Sequence, residues 1–255
     1  MPPAVAQGHG DAVIASIAFR NFKALRNTQV ALAPFNVVIG PNGSGKTSLI
    51  ESLQRLRTLS SLPSGGNDSS AQKDDGPEIT FVFGAPYEGI VVQLGCTTET
   101  VCNTLRVEPN GAPAWPALRT DLGTVRAYVL DHEAMAGASR RSEGDELASH
   151  GGNLAAVLVR LRERAPESFS ALVAELLRIM PEFLSLELVE HADDTVEFGL
   201  RLAENGDVPA AELSQGMLYL VGVLALAFDP DPPAVLCIEE VDRGIHPRML
   251  REIRD

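Results

Sequence analysis

Apolar positions along the chain change their spacing several times, and each change marks an element. "AVIASIAFRNF" (residues 12–22) and "TQVALAPFNVVIG" (28–40) are rich in Val, Ile and Phe and predict two strands. From Thr47 to Ser60 the period shifts to that of a helix, with Ile50, Leu53, Leu56 and Leu59 near one face. Leu62 to Glu78 has the Gly/Ser/Asp/Pro composition of a mobile loop. Short runs then return ("ITFVFG", "GIVVQLGCTTE", "NTLRVEP", "VRAYVLD"), separated by glycine and proline turns, and predict an antiparallel meander. Between the last two, Trp115 in "APAWPAL" reads as part of a packed loop.

Two helical patterns follow. One runs from Gly152 to Arg164. The other opens with Pro166, which suits a first helical turn, and sets Phe169, Leu172, Val173, Leu176, Leu177 and Met180 on one stripe. "LSLELVEHADDTVEFGLRLAENG" predicts a hairpin, and a strongly apolar helix starts at Gln215. A strand from Ala234 to Ile238 comes next, and "HPRMLREIRD" opens another helix. No internal repeat is visible, and no heptad pattern persists, so long coiled-coil arms are not expected.

The 255 residues suffice for one large domain or one domain with an insertion, and 45% apolar residues can form a core. A formal net charge of -13 argues against a generic nucleic-acid coat or an anionic-membrane binder. The three cysteines, Cys96, Cys102 and Cys237, show no metal spacing, and a reduced, cytoplasmic setting fits them. The longest apolar run, Met217 to Phe228, is shorter than the ~20 residues that span a bilayer, so no membrane partner is expected.

The chemistry starts at "GPNGSGKT", Gly40, Pro41, Asn42, Gly43, Ser44, Gly45, Lys46 and Thr47, followed by Ser48. It satisfies the phosphate-loop pattern, between a predicted strand and a predicted helix. The glycines let the backbone curl so that several N–H groups point at one anion, and the helix start adds its dipole. Lys46 suits the β- and γ-phosphates of ATP, and the Thr47 hydroxyl suits Mg²⁺. Far downstream, "AVLCIEEVDRGIHP" delivers Glu239 and Glu240 at the tip of an apolar run. Successive strand residues face opposite ways, so Glu239 suits the metal shell and Glu240 suits polarising water beside the γ-phosphate. Ser214, Gln215 and Gly216 stand at the start of the apolar helix, where a hydroxyl and backbone amides also suit an anion; alone, they read as an ordinary N-cap.

The ordered set Lys46, Ser214-Gln215-Gly216, Glu239-Glu240 resembles the ABC-type ATPase superfamily. Within it the chain is similar to the branch containing SMC, RecF and OLD-family proteins, and to the bacterial AAA-type ATPases related to them. The resemblance rests on "SIAFRNFKALRN", "GGNLAAVLVRLRE", "PAAELSQGMLYLVGVLAL" and "CIEEVDRGIHPRML", and covers roughly residues 13 to 255. It implies an α/β P-loop NTPase head over residues 1–255, with a mixed sheet, and with antiparallel strands and a helical insertion over 62–212. It implies that two heads sandwich ATP and Mg²⁺. Ser214 and Gly216 of one copy would meet the γ-phosphate held by the other, and Val241 to His246 would cross the seam. Lys23, in "NFKAL", would approach the nucleotide, as basic residues there do in relatives. DNA, or an effector nuclease, would be the further partner, in DNA repair or anti-phage defence.

This chain departs from the pattern in places. The signature reads Ser-Gln-Gly followed by Met217, and Val241-Asp242 stands where relatives often carry Pro-Glu. The sequence ends before a segment carrying the sensor histidine, so the head is expected to be incomplete at its C-terminus. Gln93 and Gln72 are both candidates for the glutamine that lines the metal site. Arg140, Arg141, Arg160, Arg162 and Arg164 suit either nucleic acid or a solvated face. A nucleotide-responsive module with little turnover and the ATPase subunit of a transporter are the competing readings.

Overall fold

The computed structural model describes residues 13–62, 76–203 and 206–240. Residues 63–75, most of the predicted mobile loop, lie outside the described residues, as do the seam loop Val241–His246, the terminal helix and Gln72. The chain divides into two compact units, one running to Arg126 with Pro233–Leu236, the other comprising 127–232 and the residues from Cys237 on.

In the first unit, strands β1 (Ile14–Phe22) and β2 (Leu25–Ala31) form a hairpin, and helix α1 (Lys46–Ser61) follows. Strands β3 (Glu78–Phe83), β4 (Val91–Cys96) and β5 (Cys102–Glu108) come next, then helix α2 (Trp115–Gly123). The sheet is five-stranded, in the order β2-β1-β3-β4-β5, and its pairings are antiparallel. Alternation explains its two faces. Ile17, Phe19, Ile79, Phe81, Val92 and Leu94 are buried, while Arg20, Thr80 and Gln93 between them are not. Helix α1 packs against α2 and β5, and Arg119 of α2 donates to the carbonyls of Ser61 and Leu62, satisfying the end of α1.

The second unit begins with β6 (Arg126–Tyr128), α3 (His132–Met135) and β7 (Ser139–Arg140). Helices α4 (Leu154–Arg164) and α5 (Pro166–Ile179) form a tight hairpin, followed by strands β8 (Phe183–Glu190), β9 (Thr195–Leu202) and β10 (Gly206–Pro209). Helix α6 (Gln215–Ala227) and strand β11 (Leu236–Ile238) complete the described chain. The core gathers around α6, which is apolar on every side and buried from Leu218 to Leu226, as a helix enclosed by its neighbours must be. Helices α3, α4 and α5 contact it, and α4 also meets β9. Strands β6 and β11 pair, with the Arg126 N–H on Val235 O and the Glu239 N–H on Tyr128 O, both at 2.9 Å. Both partners advance along the sequence together, so this pair is parallel and the strand content of the molecule is mixed.

Several expectations need correction. The second predicted strand stops at Ala31; Phe35 to Gly40 make no ladder, and Phe35, Val37, Val38 and Ile39 are exposed, Ile39 by 89%. Pro34 has no N–H to give a ladder. The Asn36 side chain takes both the N–H and the carbonyl of Ala33 (2.9 and 2.6 Å), turning the chain away from β1. The strand that leads to Glu239 is short and, among the described residues, pairs with β6 alone, and its first residue, Leu236, is exposed rather than buried. Trp115 begins a helix, not a loop. The buried stripe of α1 is Leu49, Leu53 and Leu56, with Ile50 and Leu59 only half-buried. The α5 stripe, by contrast, stands as expected: Leu172, Leu176 and Met180 are buried, and Phe169, Val173 and Leu177 pack half-buried against the same core. Cys96 and Cys102 are joined in a disulfide across β4 and β5, against the expectation of reduced thiols, and Cys237 is free.

Candidate functional site

The phosphate loop is built on the first unit. Gly43 and Gly45 have φ of +78° and +101°, the left-handed region in which a side chain is strained. A Cβ on Gly45 would also stand 2.6 Å from Cδ2 of Leu25, because the start of β2 leans on the loop. At Gly40 a Cβ would meet Ser44 Oγ at 2.7 Å. The Ser44 N–H donates to Pro41 O (3.2 Å), closing a turn over Asn42 and Gly43. Helix α1 then starts at Lys46 with no side-chain cap on its N-terminus. Its first-turn N–H groups are therefore offered outward, where an anion satisfies them. The Lys46 ammonium folds back over the loop, donating to Gly40 O at 2.7 Å and Pro41 O at 3.0 Å. Thr47 is exposed beside it and Ser48 is buried.

Lys23 sits at the β1–β2 turn with φ +51°, and its ammonium is bonded to Glu51 on α1. Arg55, one turn further on, lies 3.7 Å from the same carboxylate. Sequence reasoning missed Glu51, Arg55 and Leu25 as parts of the loop's setting. The Glu51/Arg55 spacing of four on a helix was the available signal.

The remaining motif residues lie in the second unit. Ser214 is the N-cap of α6, with Oγ accepting from the Met217 N–H at 3.4 Å. Ser214 is exposed, Gln215 half-buried and Gly216 buried. Glu239 is half-buried at the end of β11, held by its N–H bond to Tyr128 O. Glu240 is exposed and has φ +54°, a conformation rare for a residue with a side chain and concentrated at functional sites. Burial, and secondarily the Glu239 carboxylate, push the neighbouring Cys237 thiol up to about 11. That thiol is protonated at neutral pH and is no nucleophile.

The arginines of α4, and Arg141 ahead of it, are already engaged. Arg141 pairs with Glu163 and with Glu190 (2.7 Å), and Arg162 pairs with Glu190 (2.6 Å). Arg160 and Arg164 share Asp145, at 2.7 and 3.9 Å. This matches the solvated-face reading better than a phosphate-binding surface. Gln93 lies within β4, opposite Thr80 and Arg106. Among the described residues no group of three or more His, Cys, Asp or Glu gathers to hold a metal. The residues present fit a nucleotide triphosphate at the loop: glycine-curled backbone, an uncapped helix start and one ammonium. Thr47, exposed at the same loop, has a hydroxyl of the hard-oxygen kind that Mg²⁺ prefers.

A family model described as "AAA domain, putative AbiEii toxin, Type IV TA system" matches residues 35–255. The chain belongs to this AAA-domain family. The fold of the AAA-domain protein is that of P-loop ATPase heads. It is similar to an Smc head bound to the C-winged helix domain of ScpA, with a TM-score of 0.63 at 15% identity, covering 94% of this chain and 84% of that one. It is also similar to the Smc head with an extended coiled coil, bound to the C-terminal domain of ScpA, from Pyrococcus furiosus. There the TM-score is 0.51 at 14% identity, covering 94% of this chain and 85% of that one. Over 50 residues it is 46% identical to the DNA replication and repair protein RecF of Erwinia tasmaniensis, a match spanning 18% of this chain and 14% of that relative. Among the described residues no helix is long and apolar enough to cross a membrane.

Proposed function

We propose that this AAA-domain protein binds ATP with Mg²⁺ and hydrolyses it at a site completed by a second copy of the chain, in the cytoplasm. The observation that carries this reading is the loop itself: an uncapped helix start behind glycines in left-handed conformation, with Lys46 folded over it. Backbone N–H groups of Gly43 to Thr47 would receive the phosphate oxygens, and Lys46 would exchange its two carbonyl partners for the β- and γ-phosphates. Thr47 and Glu239 would hold the metal, which supplies charge neutralisation on the triphosphate. Glu240 would accept a proton from the attacking water. Ser214, exposed at the start of α6, would serve the γ-phosphate of the partner copy, with Gln215 and Gly216 contributing backbone.

The short match to the DNA replication and repair protein RecF supports a role in DNA maintenance; the family description's type IV toxin–antitoxin wording keeps open the second reading, anti-phage defence with an effector nuclease as partner. The ion-paired arginines of α4 turn the search for a DNA-binding surface elsewhere.

The test is Glu240→Gln. ATP turnover with Mg²⁺ should fall about 100-fold or more, the scale for losing a positioned general base, while ATP binding persists and a dimer accumulates by light scattering. A variant that stays monomeric at saturating ATP overturns the shared site. Tight ATP binding with turnover indifferent to the substitution assigns the chain instead to a nucleotide-responsive module.

A further inference from the structure

The disulfide belongs to a set of contacts on the phosphate-loop helix, all within the first unit. Cys96 ends β4, Cys102 opens β5, and the two face each other just past a bulge in the β4–β5 pairing, so their bond closes the turn Thr97–Val101. That turn reaches two places. The Arg55 guanidinium of α1 donates to Thr100 O at 2.5 Å, and Arg26 of the β1–β2 hairpin pairs with Glu99 at 2.7 Å. Arg55 also stands 3.7 Å from Glu51, which holds Lys23, and 5.4 Å from the centre of the Phe22 ring. One turn of backbone thus ties α1, at Arg55, to the hairpin whose Leu25 leans on Gly45.

Arg55 depends on that tie. Its side chain is only 22% exposed, and its Nε is buried without a hydrogen-bond partner, so Thr100 O and Glu51 carry its solvation. A half-buried cation that loses an acceptor draws harder on the one left. Here that one is Glu51, which would be drawn from Lys23. An open cavity of about 240 Å³ lined by Glu51, Gln54, Arg55, Thr58, Leu59 and Cys102 lies beside the bond. Cys102 is half-buried and Cys96 is buried, so the cavity leads a small thiol to the Cys102 sulfur.

We propose that Cys96–Cys102 is a thiol-operated clamp whose oxidised form holds α1 and the β1–β2 hairpin in the arrangement that binds the triphosphate. The proposal rests on the nucleotide reading above. In the reducing step, one thiolate of a dithiol attacks Cys102 Sγ and displaces the Cys96 thiolate, which takes up a proton. The second thiol of the reagent then attacks the mixed disulfide and releases Cys102, leaving the reagent as a cyclic disulfide. Two electrons and two protons pass to the protein; a disulfide oxidant reverses the exchange. Disulfides in reducing compartments are chiefly transient or redox-sensing, which suits a switch better than a permanent staple. Release of the Thr97–Val101 turn loosens the hold on Arg55 and Arg26 and lets the loop helix move.

The experiment compares the full chain after oxidised glutathione and after dithiothreitol. Alkylation mass spectrometry scores the thiols, fluorescent-ATP titration gives Kd, and amide hydrogen exchange follows α1 without nucleotide. Reduction should weaken ATP binding about fivefold, the lower end of coupling between sites, and speed exchange in the first turns of α1. Cys96→Ser with Cys102→Ser should match the reduced protein and ignore dithiothreitol. Arg55→Ala should still form the bond, yet bind ATP equally in both states. Equal affinities in the two states of the unmodified chain, or thiols that stay free after oxidant, overturn the clamp. An exchange difference with no ATP binding in either state supports the mechanical link and sinks the nucleotide reading instead.

Discussion

Helices α1 and α6 both begin at a motif, and they begin in opposite ways. The first starts behind Gly45, in left-handed backbone, with no side chain on its free amides. The second starts behind Ser214, whose hydroxyl takes the Met217 N–H. A helix start needs partners for its N–H groups. Behind the left-handed glycines the uncapped start is open to an anion; where a serine supplies a partner at the long distance of 3.4 Å, the helix is satisfied alone and the hydroxyl can still turn to an incoming anion. On the proposed function, the difference would separate a primary binding element from one that contributes only when a second copy arrives.

Substitutions can break this contrast, beginning with the largest effect. Lys46→Ala should weaken ATP binding about 100-fold by calorimetry, because the one ammonium folded over the loop is lost, with the fold unchanged by circular dichroism. Gly45→Ala combines a forbidden φ with overlap on Leu25 and should cost about 1–3 kcal/mol of stability in urea unfolding. Gly43→Ala carries the backbone strain into open space and should cost the smaller share, about 1 kcal/mol. Equal losses at the two glycines would deny that β2 braces the loop. Ser214→Ala should cost about 0.5–1 kcal/mol as a lost cap, and leave single-copy ATP affinity unchanged while turnover falls at concentrations that support a dimer.

The smallest effect belongs to a third helix start. Asp131 caps α3, and the Ala134 N–H it accepts at 2.9 Å holds its carboxyl below the usual carboxylate range. Because the folded pKa is the lower one, that stabilisation is present above the unfolded value of about 4 and disappears as pH falls through the folded value. Asp131→Ala should therefore lower Tm slightly at pH 7 and make no difference once the pH is low enough to protonate the wild-type carboxyl too.

The loop was legible because its chemistry is local: glycines, lysine and threonine at fixed spacing set the backbone curl and the helix start together. The hairpin β8–β9 and helices α4 to α6 were legible for a related reason, since their apolar periods are long and unbroken. The strand before the loop misled. "FNVVIG" has strand composition, yet Pro34 and the Asn36–Ala33 bonds take it off β1, and composition says nothing about whether a ladder partner exists. Trp115 misled in the other direction, because prolines on both sides suggested a loop while the second one suits the first turn of a helix. Lys23 could be read as a free cation only until Glu51, distant in sequence, was brought to it.

By itself, the sequence determined that this chain carries a triphosphate loop, an apolar central helix and a pair of carboxylates after a strand, because each depends on neighbours along the backbone. Tertiary structure alone decided that Leu25 packs on Gly45, that Arg55 reaches Thr100, that Cys96 bonds Cys102 and that the arginines of α4 are neutralised. Most of those are contacts between residues far apart along the chain, and Cys96 and Cys102, though six apart, are brought together only by the β4–β5 pairing. Their partners are chosen by strand register and helix packing, which side-chain spacing within one segment does not encode.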